Sequence, residues 1–190
     1  MLCSRWAAVE TQFGWGIAMY TEETRDESIK LAAANSYWNR PCGNEIRFEN
    51  YWADDIDFEG KTVGVVGAMR RIKERYSDIA KAVYVFDFNE QEGVLPSDME
   101  EELLPQCDIV SITGSSIQNG TLPRLLELCR KDAYVMLTGP SVPQCPDLLD
   151  CGIDRLAGMS VTDPALMLEF IFNDTPGTPF VFGTPFLIKK

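Results

Sequence analysis

The sequence contains no histidine among its 190 residues. Histidine is the usual general base near neutral pH and the commonest protein ligand of zinc, copper and nickel. Its absence excludes a Ser-His-Asp triad and every metal site that depends on imidazole. Any chemistry must therefore use carboxylates, hydroxyls, amides, thiols, lysines or a bound cofactor.

Long apolar runs and positive charge are also scarce. No stretch approaches the roughly 20 apolar residues of a membrane helix, and the N-terminal "MLCSRWAAVE" lacks the apolar core of a signal peptide. We therefore predict a cytoplasmic protein with no membrane partner. Seventeen basic against 29 acidic residues give a net charge of -12, whose field repels polyphosphates, so nucleic acid is not an expected partner.

The six cysteines include no CxxC pair. Without a secretion signal, we interpret them as reduced thiols. Cys145 and Cys151 lie close together in "CPDLLDC", a segment that could face a cleft, and this leaves a metal-ligand role open.

From Lys61 onward, five short apolar runs alternate with helical patterns. The runs are "KTVGVVG", "AVYVFDF", "DIVSITG", "AYVMLTG" and "RLAGMSV". Unbroken apolar strands are typical of strands buried on both faces, and their alternation with helices indicates parallel βαβ units. We predict an α/β fold: a Rossmann-like, doubly wound, mainly parallel sheet of about five strands.

Residues 1–58 follow another pattern and are predicted to form a small α+β segment with a linker. "RWAAVETQFGWGIAMY" is typical of a hairpin that turns near Gly14, and a helix follows through Tyr37. A hairpin and one helix cannot close a core alone, so they must dock on residues 59–190, on a second subunit, or on both. The apolar tail "TPGTPFVFGTPFLIKK" is expected to add an edge strand or to bury in an interface, which favours a homo-oligomer.

Small and polar residues follow all five predicted strands, where ligands of parallel sheets bind. The candidate ligand residues there are Gly67, Ala68, Met69, Asp87, Asn89, Thr113, Gly114, Ser115, Ser116, Gly139, Pro140, Ser141 and Asp163. Short βα loops use the same residue types as helix caps, so a purely structural role is the alternative. Asp163 also precedes Pro164 and an apolar helical stripe, which predicts a helix cap.

Two of these turns allow a sharper comparison. After Gly67, Met69 and Arg70 stand where a dinucleotide fingerprint needs further glycines, although Asp87 lies about 20 residues on. This disfavours NAD, and support for an S-adenosylmethionine-type ligand is equally weak. The stretch "ITGSSIQNGTL" is longer than a simple βα turn requires, and it contains Asn119 in an Asn-Gly turn. We predict that it binds an anion or a carbonyl group. The alternative is a loop that serves only to turn the chain.

Longer strings carry a resemblance to a known family. "DIVSITGSSIQNGTLPRLLELC" and "AYVMLTGPSVPQCPDLLDCGIDRLAGMSVTDPALML" resemble the Rossmann-like domain of the DUF364 family, whose name refers to heavy-metal chelation. The similarity covers about residues 60–172. Full-length members carry an N-terminal domain related to that of enolase, and residues 1–58 resemble a shortened form of it, with Asn35 matching a family asparagine.

The resemblance implies a small-molecule or metal-related role in a site between the two parts. Metal ligands would be oxygen and sulfur atoms from Glu10, Asp87, Asp163 and Cys145 or Cys151. The cofactor is not specified beyond a possible divalent or heavy-metal ion. Three functions stay open: binding of a metal or of a metal-chelating small molecule; an enzyme acting on a nucleotide-like or carboxylated metabolite, with Asp87 or Asp163 as acid-base; and a non-catalytic assembly subunit.

Overall fold

The structure is a computed structural model that describes residues 5–52, 55–67, 69–89 and 91–190. Ala68, one of the predicted ligand residues, lies outside them. Within these residues, no helix combines the length and apolar character needed to cross a bilayer.

An N-terminal hairpin and one long helix form the first structural unit. Strands β1 (Trp6–Thr11) and β2 (Gly14–Met19) pair antiparallel around a turn at Gly14, whose φ of 131° suits glycine. Helix α1 (Arg25–Trp38) lies directly against β2: a Cβ on Gly16 would approach the carbonyl oxygen of Ala32 to 2.2 Å. We call residues 5–39 the hairpin–helix unit; the hairpin and helix predicted from the sequence are both confirmed.

The rest of the chain alternates strands and helices. After a 3-10 helix at Phe48–Trp52, the elements are β3 (Thr62–Val66), α2 (Arg70–Tyr76), β4 (Ala82–Asp87), β5 (Leu95–Pro96), α3 (Glu100–Leu103), β6 (Ile109–Thr113), α4 (Ser115–Gln118), α5 (Leu122–Leu128), β7 (Tyr134–Thr138), β8 (Arg155–Val161), α6 (Pro164–Phe172) and β9 (Gly183–Lys189). Further 3-10 turns lie at Ser97–Met99, Leu104–Gln106, Pro146–Cys151 and Pro179–Val181.

These strands form a seven-stranded sheet in the order β5-β4-β3-β6-β7-β8-β9. All neighbours are parallel except β9, which pairs antiparallel with β8. The mixed α/β class and the mostly parallel sheet are therefore confirmed, and the five predicted strands are all present. The sheet is larger than predicted because β5 and β9 extend its two edges. The Rossmann-like assignment stays a prediction.

Both faces of the sheet are buried, as the unbroken apolar runs predict. Along β3, Val63 and Val65 pack with Ile72 of α2 on one face, whereas Val66 joins the α5 residue Leu125 in a cluster on the other face. Helices thus cover both faces, and the alternation along each strand supplies two apolar layers.

The C-terminal tail completes the edge of the sheet. Phe186 of β9 is fully buried, and β9 pairs with β8 over seven residues. The edge-strand expectation is therefore confirmed for the tail. The oligomer expectation stays a prediction.

The hairpin–helix unit packs against the last part of the sheet domain. Trp6, Ala8 and Ile17 share an apolar cluster with Met167 and Phe170 of α6. This contact fixes the unit over the carboxyl-end side of β7 and β8, where its polar groups meet the strand-end loops described next.

Candidate functional site

The strand order places a topological switch between β3 and β6. These adjacent parallel strands continue toward opposite edges of the sheet, and ligands of such sheets bind outside their carboxyl ends. Gly67 follows β3 with a φ of 94°, and a Cβ there would lie 2.8 Å from the Cβ of Thr113 at the end of β6. The two strand ends therefore touch, and only glycine permits that approach. Gly67, Met69 and Thr113 are half-buried at this edge.

A pair of carboxyl groups lies at the end of β4. Asp87 is half-buried, and its Oδ1 accepts hydrogen bonds from the backbone N and the side-chain Nδ2 of exposed Asn89, at 2.9 and 3.0 Å. Glu100, at the start of α3, is electrostatically coupled to Asp87. Burial, together with the negative charge of Asp87, raises the pKa of Glu100 to about 7. Glu100 can therefore exchange a proton near neutral pH.

The stretch after β6 differs from the predicted loop. Residues Ser115–Gln118 form the short helix α4, since Ser116 Oγ donates to the Thr113 carbonyl at 2.8 Å and Asn119 N donates to the Ser115 carbonyl. Gly114 is buried against the loop after β7. Exposed Asn119 serves its own turn, because its Oδ1 accepts from Thr121. Ser115 is the half-exposed hydroxyl of this stretch.

The end of β7 is covered by the hairpin–helix unit. Ser141 is buried, and its Oγ accepts from Met19 N at 2.8 Å. Its carbonyl accepts from Nδ2 of Asn35 at 2.9 Å, and the same Nδ2 also donates to the carbonyl of Ile17. Gln118 of α4 completes the contact by donating from Nε2 to the carbonyl of Met19. Gly139 and Pro140, half-buried, lie just before this network.

Within the part of the chain that the structure describes, two side-chain oxygens of this network have no hydrogen-bond donor. They are Oδ1 of Asn35, a fully buried residue, and Oε1 of Gln118, which is 6% exposed. The amide nitrogens of both side chains donate to β2 carbonyls two residues apart, at Ile17 and Met19. Both oxygens therefore belong to the same interface between the hairpin–helix unit and the strand ends. Buried acceptors are rarely left unpaired, so this pair requires an explanation.

The remaining candidate residues lie elsewhere. Asp163 is exposed and caps α6 by accepting from Leu166 N at 2.9 Å, as the sequence predicts. Glu10 is exposed on β1, and Cys151 is exposed at the end of a 3-10 helix that Cys145 precedes.

The described residues do not fit a metal held by side chains alone. Among them, no three Cys, Asp or Glu side chains lie close enough together to coordinate one ion. Glu10, Asp87, Cys145 and Cys151 therefore do not form a single site. Catalytic and structural metal sites ordinarily use at least three protein ligands.

Sequence reasoning missed Gln118, Asn39 and Glu100. Asn39 is 5% exposed; its Nδ2 donates to the carbonyls of Val142 and Met159, and its Oδ1 accepts from Gln144 N. Gln118 lies in the stretch predicted as a loop, and no motif distinguishes Glu100 from the other acidic residues near it. The spacing of Asn35 and Asn39, one helical turn apart on one face, is a signal that could have found the docking side of α1.

The fold and the strand ends define an α/β protein with a mostly parallel sheet and a docked hairpin–helix unit. Residues 54–177 match the model of the DUF364 family, described as "Putative heavy-metal chelation". The match covers well over half of the sequence, and the chain belongs to this family.

Similar proteins agree with this membership. A DUF364 protein of unknown function from Desulfitobacterium hafniense has a crystal structure with a TM-score of 0.87 and 26% identity, covering 100% of this chain and 89% of that one. A second, from Pyrococcus horikoshii, gives 0.81 at 22% identity, over 97% of this chain and 88% of that one, and shows the shared fold. The uncharacterized protein MJ0500 of Methanocaldococcus jannaschii is 30% identical over 112 residues, which are 57% of this chain and 41% of that longer protein.

Proposed function

We propose that this chain is a cytoplasmic protein that binds a small organic molecule between the hairpin–helix unit and the carboxyl ends of the parallel strands. One observation carries the proposal: Asn35 Oδ1 and Gln118 Oε1 are buried at this interface with no donor among the described residues. An unpaired buried acceptor costs about 1–3 kcal/mol. A ligand N–H or O–H group that donates to either oxygen would recover that cost.

The chemistry of the surrounding groups narrows the ligand class. The two amide oxygens select hydrogen-bond donors on one side of the ligand. On the open side, Gly67, Thr113 and Ser115 are half-exposed at the strand ends and present backbone and hydroxyl groups. We expect a polar metabolite with N–H or O–H groups at one end and a carbonyl or anionic group at the other.

The family description concerns metal chelation, and the donor set limits how a metal could enter. Because no described group of three carboxylates or thiols could hold an ion, we propose that any metal arrives already bound to the small molecule. Asn35 and Gln118 would then bind the chelating molecule and not the ion.

Native mass spectrometry with elemental analysis of protein purified without chelators tests this proposal. We expect an added mass corresponding to a small molecule, and a thermal-shift screen of polar metabolites should find a stabilising compound of the same class. Replacing Gln118 by Met keeps the length of the side chain but removes its amide. This variant should bind the compound about tenfold more weakly, the value of one hydrogen bond.

Thr11→Val is the matched control, because Thr11 contacts Ser36 within the hairpin–helix unit and does not reach the strand ends. It should bind like the wild type. Equal affinities of all three proteins, or a screen in which no polar metabolite stabilises the wild type, would contradict the proposed site.

An enzyme is the second candidate function, because the Asp87–Glu100 pair supplies a carboxyl group with a pKa of about 7 at the end of β4. Such a group suits proton transfer on a nucleotide-like or carboxylated metabolite. We expect turnover whose pH dependence shows an apparent pKa near 7, and Glu100→Gln should abolish this turnover. An assembly role and a homo-oligomer stay proposals. The apolar C-terminal tail was one argument for both, and it is weakened because the tail pairs with β8 of its own sheet.

A further inference from the structure

Arg155, the first residue of β8, is the largest fully buried side chain of the described residues. Its Nη1 donates to Asp55 Oδ1 at 2.6 Å. Among the described residues, its Nε and Nη2 have no hydrogen-bond partner that meets the distance and angle limits, although the hydroxyl of Tyr134 lies close to the guanidinium. Burying a guanidinium is costly unless its N–H groups are paired, so half of this side chain lacks what burial requires.

The two unpaired nitrogens belong to one edge of the guanidinium. Nε–H and one N–H of Nη2 point the same way, parallel to each other, on the side away from Cδ. This edge binds planar anions with two hydrogen bonds at once. Asp55 occupies only the opposite side of the group, at Nη1.

Arg155 also lines a small cavity between α2 and the sheet. Its volume is about 10 Å³, close to the space needed by one water-sized group. The other lining residues are Tyr51, Ile72, Tyr76, Met136, Thr138 and Ala157. The lining contains no carboxylate and is mostly apolar. A phosphate group is too large for it, whereas a single acceptor atom of a small anion suits its size.

Among the described residues, the ion pairs of Arg155 do not balance in charge. Asp55 also accepts a hydrogen bond from Lys189, so two cations share one carboxylate. Burial alone would raise the pKa of Asp55, but the hydrogen bonds from Lys189 and Arg155 hold it at about 2. The cluster of Asp55, Arg155 and Lys189 therefore carries one net positive charge at neutral pH. A water molecule in the cavity would leave that charge in place, and an anion would neutralise it.

We propose that Arg155 and this cavity form a binding site for a small monovalent anion, held by the Nε–Nη2 edge. A halide ion and the carboxylate of a small organic acid share the required chemistry. The site is separate from the proposed ligand site but adjoins it, because Thr138 precedes Gly139, whose N donates to the hydroxyl of Tyr51 at 2.9 Å. It does not depend on the proposed function.

A nuclear magnetic resonance titration of the wild type tests the site directly. The Nε–H signal of Arg155 is identified by its loss in Arg155→Lys. Chloride, formate and acetate are each added to about 50 mM, with ionic strength held constant by a bulky buffer anion. We expect a saturable shift of this signal, and the effective anion distinguishes a halide from a carboxylate site. The Nε–H signal of half-buried Arg130, which pairs with Asp132, is the control and should not saturate.

Thermal stability in the same salts gives a second measurement. The wild type should be stabilised by the effective anion, and Arg155→Lys, which keeps the charge but not the two-donor edge, should lose that dependence. Arg124→Met, which removes an exposed arginine, should keep it. A folded Arg155→Lys variant with unchanged anion dependence overturns the proposal. A wild-type Arg155 signal that none of the three anions moves also overturns it. For this second result, the Arg155→Lys variant is needed only to assign the signal.

Discussion

Buried amide side chains join the two parts of this molecule. Asn35, Asn39, Gln118 and Gln144 all reach across the boundary between the hairpin–helix unit with its following turn and the sheet domain. Amides carry donors and acceptors without a charge, so they can pair loop backbone groups inside an interface without the cost of burying an ion. The interface is therefore specified by hydrogen bonding as well as by apolar packing.

Asn39→Ala should destabilise the protein strongly. Two carbonyls and one N–H lose their partner inside a buried interface, and we expect a loss of about 3 kcal/mol in the free energy of unfolding. Urea denaturation measures it. Asn173→Ala, at an exposed position after α6, is the control and should stay within about 0.5 kcal/mol of the wild type. A similar small loss for both variants would show that Asn39 does not hold the interface.

Glu100 should make stability depend on pH. Its folded pKa is raised from 4.5 to about 7, so the folded state binds a proton that the unfolded state releases. This contribution is fully present below pH 4.5 and is lost as the pH rises through 7. Between pH 5 and pH 8, the wild type should lose stability relative to Glu100→Gln, by on the order of 1 kcal/mol after solvent screening.

Chemical denaturation at several pH values measures that difference. Glu101→Gln is the matched control, because Glu101 is exposed and pairs with Arg124. Its pH dependence should follow the wild type. If Glu100→Gln does so as well, the proton does not reside on Glu100 in that range.

At the scale of elements, the sequence predicted those parts whose pattern is local. The strands from β3 to β8, apart from β5, are runs of branched apolar residues, and burial on both faces requires that pattern wherever the strand lies. β5 has only two residues and no pattern of its own. The stretch after β6 was predicted as a loop because Ser115, Asn119 and Gly120 are typical turn residues; helix α4 forms since Ser116 and Asn119 close the turn on local carbonyls.

The candidate site was predictable only in part, for the same reason. The strand ends were located from the βα alternation. The position of the hairpin–helix unit decides which strand-end residues can contact a ligand and which contact the unit instead. Ser141 meets Met19 across 122 positions of the chain, and no local pattern encodes such a distant contact. Glu100 likewise differs from its neighbouring acids only through burial beside Asp87.

Gly16 tests the fit between β2 and α1. A methyl group on this residue would lie 2.2 Å from Ala32 O and Ser36 N, which are backbone atoms that cannot move aside singly. Gly16→Ala should therefore separate hairpin and helix, with a loss of at least about 3 kcal/mol. Gly43→Ala is the control: its φ of 94° is strained for alanine, but its surroundings are open, so about 1 kcal/mol is expected. Equal losses would mean that strand and helix can move apart freely.

At the scale of the whole molecule, we expect the hairpin–helix unit and the sheet domain to unfold together. The two parts share an apolar cluster and hydrogen bonds from buried amide side chains. Either part alone would expose these groups to water. Three of the four tryptophans, Trp6, Trp15 and Trp38, lie in the hairpin–helix unit, so fluorescence reports mainly this unit, whereas far-ultraviolet circular dichroism reports mainly the larger domain. Both signals should give the same urea midpoint. A fluorescence transition at lower urea would show that the unit undocks first.

The docking also sets an order of events during synthesis. The hydrogen-bond partner of Met19 is made 122 residues after it, and that of Asn39 up to 120 residues after it. At roughly 5–20 residues per second, the hairpin therefore waits about 6–24 s on the ribosome before Ser141 exists. During that time Trp6 and Ile17 lack the α6 residues that later cover them. The hairpin is thus made well before the residues that complete its contacts, and its docking is a late step of folding.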